Sequence, residues 1–294
     1  MGVLGIKGMN MGWRDIAVLI RLPNLLIIVL TQYFTAIFLT GAERPYYDYL
    51  MDIRLFLLSL STVLIASAGY IINDYYDIKI DYLNKPGRVV VGKQLRRRIA
   101  LVLHWSLSAL GILIGTVVSL KLGLINLVAA FLLWFYSNHL KRIPFLGNVT
   151  VAFLTSLSIL IVLILYPRHE KLVLIYAVFA FFINLIREII KDMEDWKGDK
   201  AFGCRTLPIV WGIRYTKYLI YFLMIIFILL LTWMTIKLDN YLLKIYFALL
   251  SVPGAFFVHK LIRSDTTEDF YYLSGFSKMI MLSGIISMMF FKFF

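Results

Sequence analysis

The chain has 294 residues, 61% of them hydrophobic, and a formal net charge of +13; its mean hydropathy is +0.83. A soluble domain of this length is about half apolar, so an ordinary water-soluble enzyme is excluded. The one cysteine, Cys204, excludes a disulfide framework and a cysteine metal site.

Apolar runs of about 20 residues cross a bilayer. In chain order they predict nine transmembrane helices, at 16–40, 55–72, 99–120, 122–138, 148–166, 172–190, 213–236, 241–261 and 271–293. No short apolar stretch with a small-residue cleavage site opens the chain, so the first run is read as a retained helix. The turn between the third and fourth helices is marked only by Lys121 and Gly123. No linker or shift in composition divides the chain. The expectation is an all-α membrane protein, one bundle and a single polytopic domain over residues 1–294.

Loops then alternate between two sides. The N-terminus, 73–98, 139–147, 191–212 and 262–270 fall on one side, which collects roughly 22 of the Lys and Arg residues. The loops 41–54, 121, 167–171 and 237–240 and the C-terminus share the other, with about 8. Positive charge marks the cytoplasmic face. The expected placement is a multi-pass protein of the cell inner (plasma) membrane, with the N-terminus and basic loops cytoplasmic and the C-terminus outside. The lipid bilayer accounts for the net charge without a nucleic-acid partner.

Two cytoplasmic helix ends carry acidic stretches, Asn73-Asp74-Tyr75-Tyr76-Asp77-Ile78-Lys79-Ile80-Asp81 and Lys191-Asp192-Met193-Glu194-Asp195-Trp196-Lys197-Gly198-Asp199. In both, aspartates stand at relative positions 0, 3 and 7. On a helix these offsets fall within a sector of roughly 60° over about 10 Å of rise. Like charges on one face repel and are costly near lipid, so something must compensate them. Magnesium does so, because it binds through carboxylates shared with substrate phosphates and retained waters. One such stripe is equally well a solvated helix end. Two of the same spacing on one membrane face point to a clamp, with Asp74, Asp77, Asp81, Asp192, Asp195 and Asp199 as metal-binding and catalytic candidates for a diphosphate.

Fixed cations complement such a site. Positive-inside topology explains most of the nearby basic residues, and Arg88, Lys141 and Arg142 are singled out. Polar residues within the spans need partners. Asn24, Asn73, Asn184 and Arg187 are therefore substrate-binding candidates, although Arg187 is also placed to pair with a carboxylate.

These residues resemble the intramembrane (UbiA) prenyltransferase superfamily. The first stretch is similar to its N-D-x-x-D-x-x-x-D signature and the second to its D-x-x-D-x-x-x-D signature. Arg21-Leu22-Pro23-Asn24, Asn84-Lys85-Pro86-Gly87-Arg88, Leu140-Lys141-Arg142 and Arg205-Thr206-Leu207-Pro208 also fit. The resemblance implies a helical bundle around a central cavity capped by cytoplasmic loops, Mg2+, a polyprenyl diphosphate donor and a lipophilic acceptor. The stretches 181–198 and 141–148 look most like the digeranylgeranylglyceryl phosphate synthase branch. That implies a geranylgeranyl donor and a geranylgeranylglyceryl phosphate-type acceptor. The branch carries a proline-rich R-P-I-P-S-G after the first motif, whereas this chain reads Arg88-Val89-Val90-Val91-Gly92-Lys93. An aromatic quinone precursor, of 4-hydroxybenzoate or naphthoate type, stays open as acceptor. A cation-coupled transporter is the reading from another class, disfavoured because transporters hold such residues near the bilayer midplane. The oligomeric state is left open.

Overall fold

The computed structural model describes residues 11–41, 45–238 and 241–293. The expected N-terminal flank (1–10), the centre of the 41–54 loop, the end of the 237–240 turn and the last residue lie outside the described residues. Nine helices among those described are long and apolar enough to cross a membrane, and the protein is a multi-pass helical membrane protein.

The first predicted span is not one helix. It divides into α1 (Trp13–Leu19) and α2 (Leu22–Phe34), which ends in a π turn, Thr35–Leu39. Pro23 is the cause, since its ring would strike the carbonyl of Leu19, four residues back. Between the two helices Arg21 takes a left-handed conformation (φ 51°).

After the short α3 (Tyr46–Leu50), α4 runs from Ile53 to Asn84. The span predicted at 55–72 thus continues twelve residues further, for no breaker occurs before Pro86. At 1.5 Å per residue α4 is about 48 Å long, well beyond a hydrocarbon core of about 30 Å. Its last turns, which carry the first acidic motif, therefore stand clear of the lipid tails.

The helices α5 (Arg97–Val118) and α6 (Leu120–Asn138) are separated by Ser119 alone. The hairpin closes tightly because glycine faces the partner: a Cβ on Gly123 would lie 2.1 Å from Thr116 Oγ1. Asn126 Nδ2 donates to Gly111 O across it at 3.1 Å. Next come α7 (Leu146–Leu160), α8 (Glu170–Glu194), α9 (Trp196–Ala201), α10 (Leu207–Val210), α11 (Gly212–Leu238), α12 (Tyr241–Ile262) and α13 (Thr267–Ser287).

Two helices organise the bundle. The first, α4, packs on α5, α6 and α2; the second, α8, packs on α7, α13 and α11. The main core gathers around α8, with Ile183, Ile186, Ile189 and Ile190 buried against Leu207, Phe257 and Phe270. Large apolar side chains on α5, α6 and α11, such as Trp105, Phe131 and Trp233, face outward, as a lipid-facing surface requires. Between α2, α7, α8 and α13 lies an apolar cavity of about 50 Å3.

The unusual loop after the first motif is an apolar plug. Val90, Val91 and Leu95 pack with Leu19, Ile71 and Ala100. Gly92 makes the reversal in a left-handed conformation (φ 87°), which favours glycine. Its amide donates to Leu95 O at 2.8 Å.

Candidate active site

The end of α4 is a single uninterrupted helix, so Asp74, Asp77 and Asp81 share one face as their spacing predicts. Asp77 is buried. It accepts a hydrogen bond from Asn73 Nδ2 at 2.8 Å and pairs with Lys141 Nζ. Lys141 stands on the 3-10 turn Leu140–Arg142 between α6 and α7. Burial alone would lower its pKa, but Asp77, Tyr136 and Asp199 outweigh that and hold the ammonium well above its usual value. Asp74 pairs with Arg21 Nη2 at 3.1 Å. The same guanidinium lies 4.8 Å from the centre of the Tyr70 ring.

The second motif departs from expectation. The chain leaves α8 at Glu194, and Asp195 sits between α8 and α9 at φ −91°, ψ 4°. Its three aspartates therefore do not lie on one continuous helical stripe. Asp192 lies in the last turn of α8 and accepts from Asn148 Nδ2 at 2.8 Å. Asp195 pairs with Lys85 Nζ at 2.8 Å, and the same ammonium reaches Glu194 at 3.0 Å. Asp199 is buried on α9. Burial pushes its carboxyl up to about 6, with Lys141 opposing and Asp195 and Asp77 adding to the rise.

Two devices bring the motifs together. Lys141 feels both Asp77 of the first and Asp199 of the second. Asn84, the last residue of α4, donates to Asp195 O at 3.2 Å and accepts from Gly198 N at 3.0 Å. The close approach needs glycine, because a Cβ on Gly198 would lie 2.4 Å from the Asn84 amide.

The other candidates make no hydrogen bond or ion pair with the six aspartates among the described residues. Arg88 and Arg142 are exposed on 3-10 turns. Asn184 donates to Ala180 O of its own helix at 3.0 Å. Arg187 pairs with Glu188 at 3.0 Å. Asn24 donates to the Tyr70 hydroxyl at 3.4 Å and accepts from Lys278 Nζ at 2.8 Å.

Sequence reasoning passed over Arg21, Lys85, Asn148 and Lys278. Arg21 and Lys85 were hidden among basic residues that topology explains. Asn148 reads only as the first residue of the fifth span. Lys278 had a usable signal, as a lone cation inside an apolar span.

Among the described residues, no three histidine, cysteine or carboxylate side chains come together tightly enough to enclose an ion. Magnesium does not require that, since it binds through one or two carboxylates and fills its shell with waters and phosphate oxygens. The donors here are hard oxygens, and seven carboxylates, Glu194 included, outnumber their cations Arg21, Lys85 and Lys141. That excess negative charge fits a divalent cation.

The family model for the UbiA prenyltransferase family matches residues 26–277. The chain belongs to the UbiA prenyltransferase family. Its relatives in that family include the digeranylgeranylglyceryl phosphate synthase of Methanosphaera stadtmanae, 30% identical over 86% of this chain and 92% of that one. The enzyme of the same name from Thermococcus sibiricus is 42% identical over 54% of this chain, a match spanning 56% of the relative. Among solved structures, one from a study of digeranylgeranylglyceryl phosphate synthase in membranes aligns with a TM-score of 0.72 at 22% identity, covering 95% of this chain and 98% of that one. A UbiA homologue from Archaeoglobus fulgidus bound to GPP and Mg2+ aligns at 0.64 and 16% identity, over 93% and 99%. These likenesses extend the UbiA fold over nearly the whole chain.

Proposed function

We propose that the chain acts as one domain over residues 1–294 and transfers a polyprenyl group, geranylgeranyl by preference, from its diphosphate to a geranylgeranylglyceryl phosphate-type lipid. The observation that carries this reading is the meeting of two acidic helix ends, joined through Asn84 to Asp195 and Gly198, with Lys141 paired to Asp77 beside them. Relatives named for that reaction support the choice of acceptor.

Asp74, Asp77, Asp81, Asp192, Asp195 and Asp199 are the residues that would hold Mg2+. Held there, Mg2+ would supply charge neutralisation for the leaving diphosphate. Lys141 and Lys85 keep their positive charge against burial through neighbouring carboxylates, and so stay available to diphosphate oxygens. Asn73 and Asn148 orient Asp77 and Asp192. The Val90–Leu95 plug packs apolar groups against the flank of α4 that carries Ile71, Tyr75 and Ile78. In the reaction the allylic C–O bond breaks with its electrons going to diphosphate. The acceptor hydroxyl forms the new ether bond, and its proton passes to the released diphosphate.

The basic loops favour a cytoplasmic position for this site in the plasma membrane, with the C-terminus outside. Purified protein with Mg2+ and geranylgeranyl diphosphate should yield an ether-linked product with geranylgeranylglyceryl phosphate and none with 4-hydroxybenzoate or a naphthoate, as read by mass. Asp77→Asn should abolish turnover in folded protein. Wild-type rates in that variant would sink the clamp.

A further inference from the structure

Lys278 lies on α13 about 16 Å along the helix from its start. Among the described residues it makes no ion pair; its ammonium donates to the neutral amide oxygen of Asn24 at 2.8 Å. Arg187, Lys191, Arg21 and Arg88 all act on it with like charge. Arg21 is matched by Asp74. A single carboxylate, Glu188, serves both Arg187 at 3.0 Å and Lys191 at 2.9 Å. The buried Nε of Arg187 has no hydrogen-bond partner. Among the described residues, Lys278, Arg187 and Lys191 thus have one ion-paired carboxylate, Glu188, between them inside a membrane bundle. Such a site is costly unless an anion enters it.

The same three helices continue below this cluster as the apolar cavity. One to two turns deeper than Asn24, α2 contributes Ile27 and Thr31; below Arg187, α8 contributes Ile183 and Ala180; below Lys278, α13 contributes Met281 and Ile285. A cationic head over an apolar cavity is shaped for an amphiphile with an anionic head. The cavity is narrow, and the unbranched Met281 side chain can move aside for a chain.

The cluster adjoins the aspartate cleft, with Arg21 on Asp74 and Lys191 next to Asp192, but its charge has the opposite sign. The cleft is negative and suits a diphosphate that arrives with divalent metal. The Lys278 cluster is positive, which repels metal and suits a bare phosphate of nearly two negative charges. We propose that Lys278, Arg187 and Lys191 form a metal-independent subsite for the phosphomonoester head of the lipid acceptor. This rests on the reading of the acceptor as a glycerol-phosphate ether lipid.

The test is steady-state kinetics on the purified full chain with Mg2+ and geranylgeranyl diphosphate. Lys278→Gln should raise the KM for geranylgeranylglyceryl phosphate about ten- to a hundredfold, the loss expected for a charge-assisted hydrogen bond. The donor KM should stay as in wild type, and Lys278→Arg should recover most of the acceptor affinity. Lys191→Gln, which leaves Glu188 paired with Arg187, should shift the same constant and serves if Lys278→Gln does not fold. An equal rise in donor KM would assign the cluster to the diphosphate and overturn the proposal, as would an unchanged acceptor KM. A second arm needs no turnover: thermal unfolding in EDTA with hexadecyl phosphate or hexadecanol. Stabilisation by the phosphate alone, lost in Lys278→Gln, supports the subsite even if wild type rejects the ether lipid as acceptor. Equal stabilisation by both additives overturns it.

Discussion

At the scale of single residues, the pairing of Asp77 with Lys141 shows what the site demands of its protein. Asp77 is buried, so its charge needs a permanent partner. Lys141→Met should destabilise the protein by about 3 kcal/mol, the cost of stranding a buried charge. Combining it with Asp77→Asn should restore most of that stability without restoring turnover. Thermal melts beside product assays would show the divergence, and a double variant no more stable than Lys141→Met would contradict it. Arg21 separates backbone from charge in another way. Its left-handed conformation favours glycine, whereas its guanidinium holds Asp74 at 3.1 Å. Arg21→Gly should therefore melt within about 2 °C of wild type while kcat/KM falls at least about tenfold. Loss of stability in step with activity would argue that the residue is merely structural.

At the scale of elements, the site depends on how closely the α8–α9 corner approaches the end of α4. Gly198 lets that happen, and Asn84 spans the gap with two hydrogen bonds to backbone. Gly198→Ala should push the corner away from α4, carrying Asp195 and Asp199 with it. Activity should drop at least about a hundredfold, since misplacement by about 1 Å is already severe. Asn84→Ala leaves the space open and removes only the hydrogen bonds, so it should be milder, costing about 1–2 kcal/mol in stability. An alanine at 198 with wild-type kcat would show that the two ends need not meet this closely. The corner also explains a failure of periodicity. Offsets of 0, 3 and 7 describe a stripe only while the helix continues, and between Asp192 and Asp199 it does not. The π turn and the Pro23 break in the first span have the same lesson: apolar length reveals a crossing but not its continuity.

For the whole molecule, nine helices of membrane-crossing length among the described residues underlie the orientation proposed above. If the charge-based orientation is right, a cysteine at exposed Lys93 in a Cys204→Ser background is shielded from an impermeant maleimide in intact cells. One at exposed Lys237 is labelled. The reverse pattern would invert the topology proposed here.

Much of this protein was legible without coordinates, because a bilayer is a demanding solvent. Helices must satisfy their backbone internally, so apolar length alone revealed the crossings. Carboxylates so near lipid have few uses, so the repeated aspartate spacing was informative. Tertiary structure alone decided which cation meets which carboxylate. Lys141 is singled out along the chain, but its pairing with Asp77 is not; Lys85 and Arg21 stand among other basic residues, and nothing local distinguishes those two from charges that merely set topology. The fold also turned the valines after Arg88 from an anomaly of the motif into a packed plug. It carried Lys278, some 200 residues from the first motif, to a cluster of cations above an apolar cavity. Long-range pairing of this kind depends on where helices cross, and spacing along one chain does not encode it.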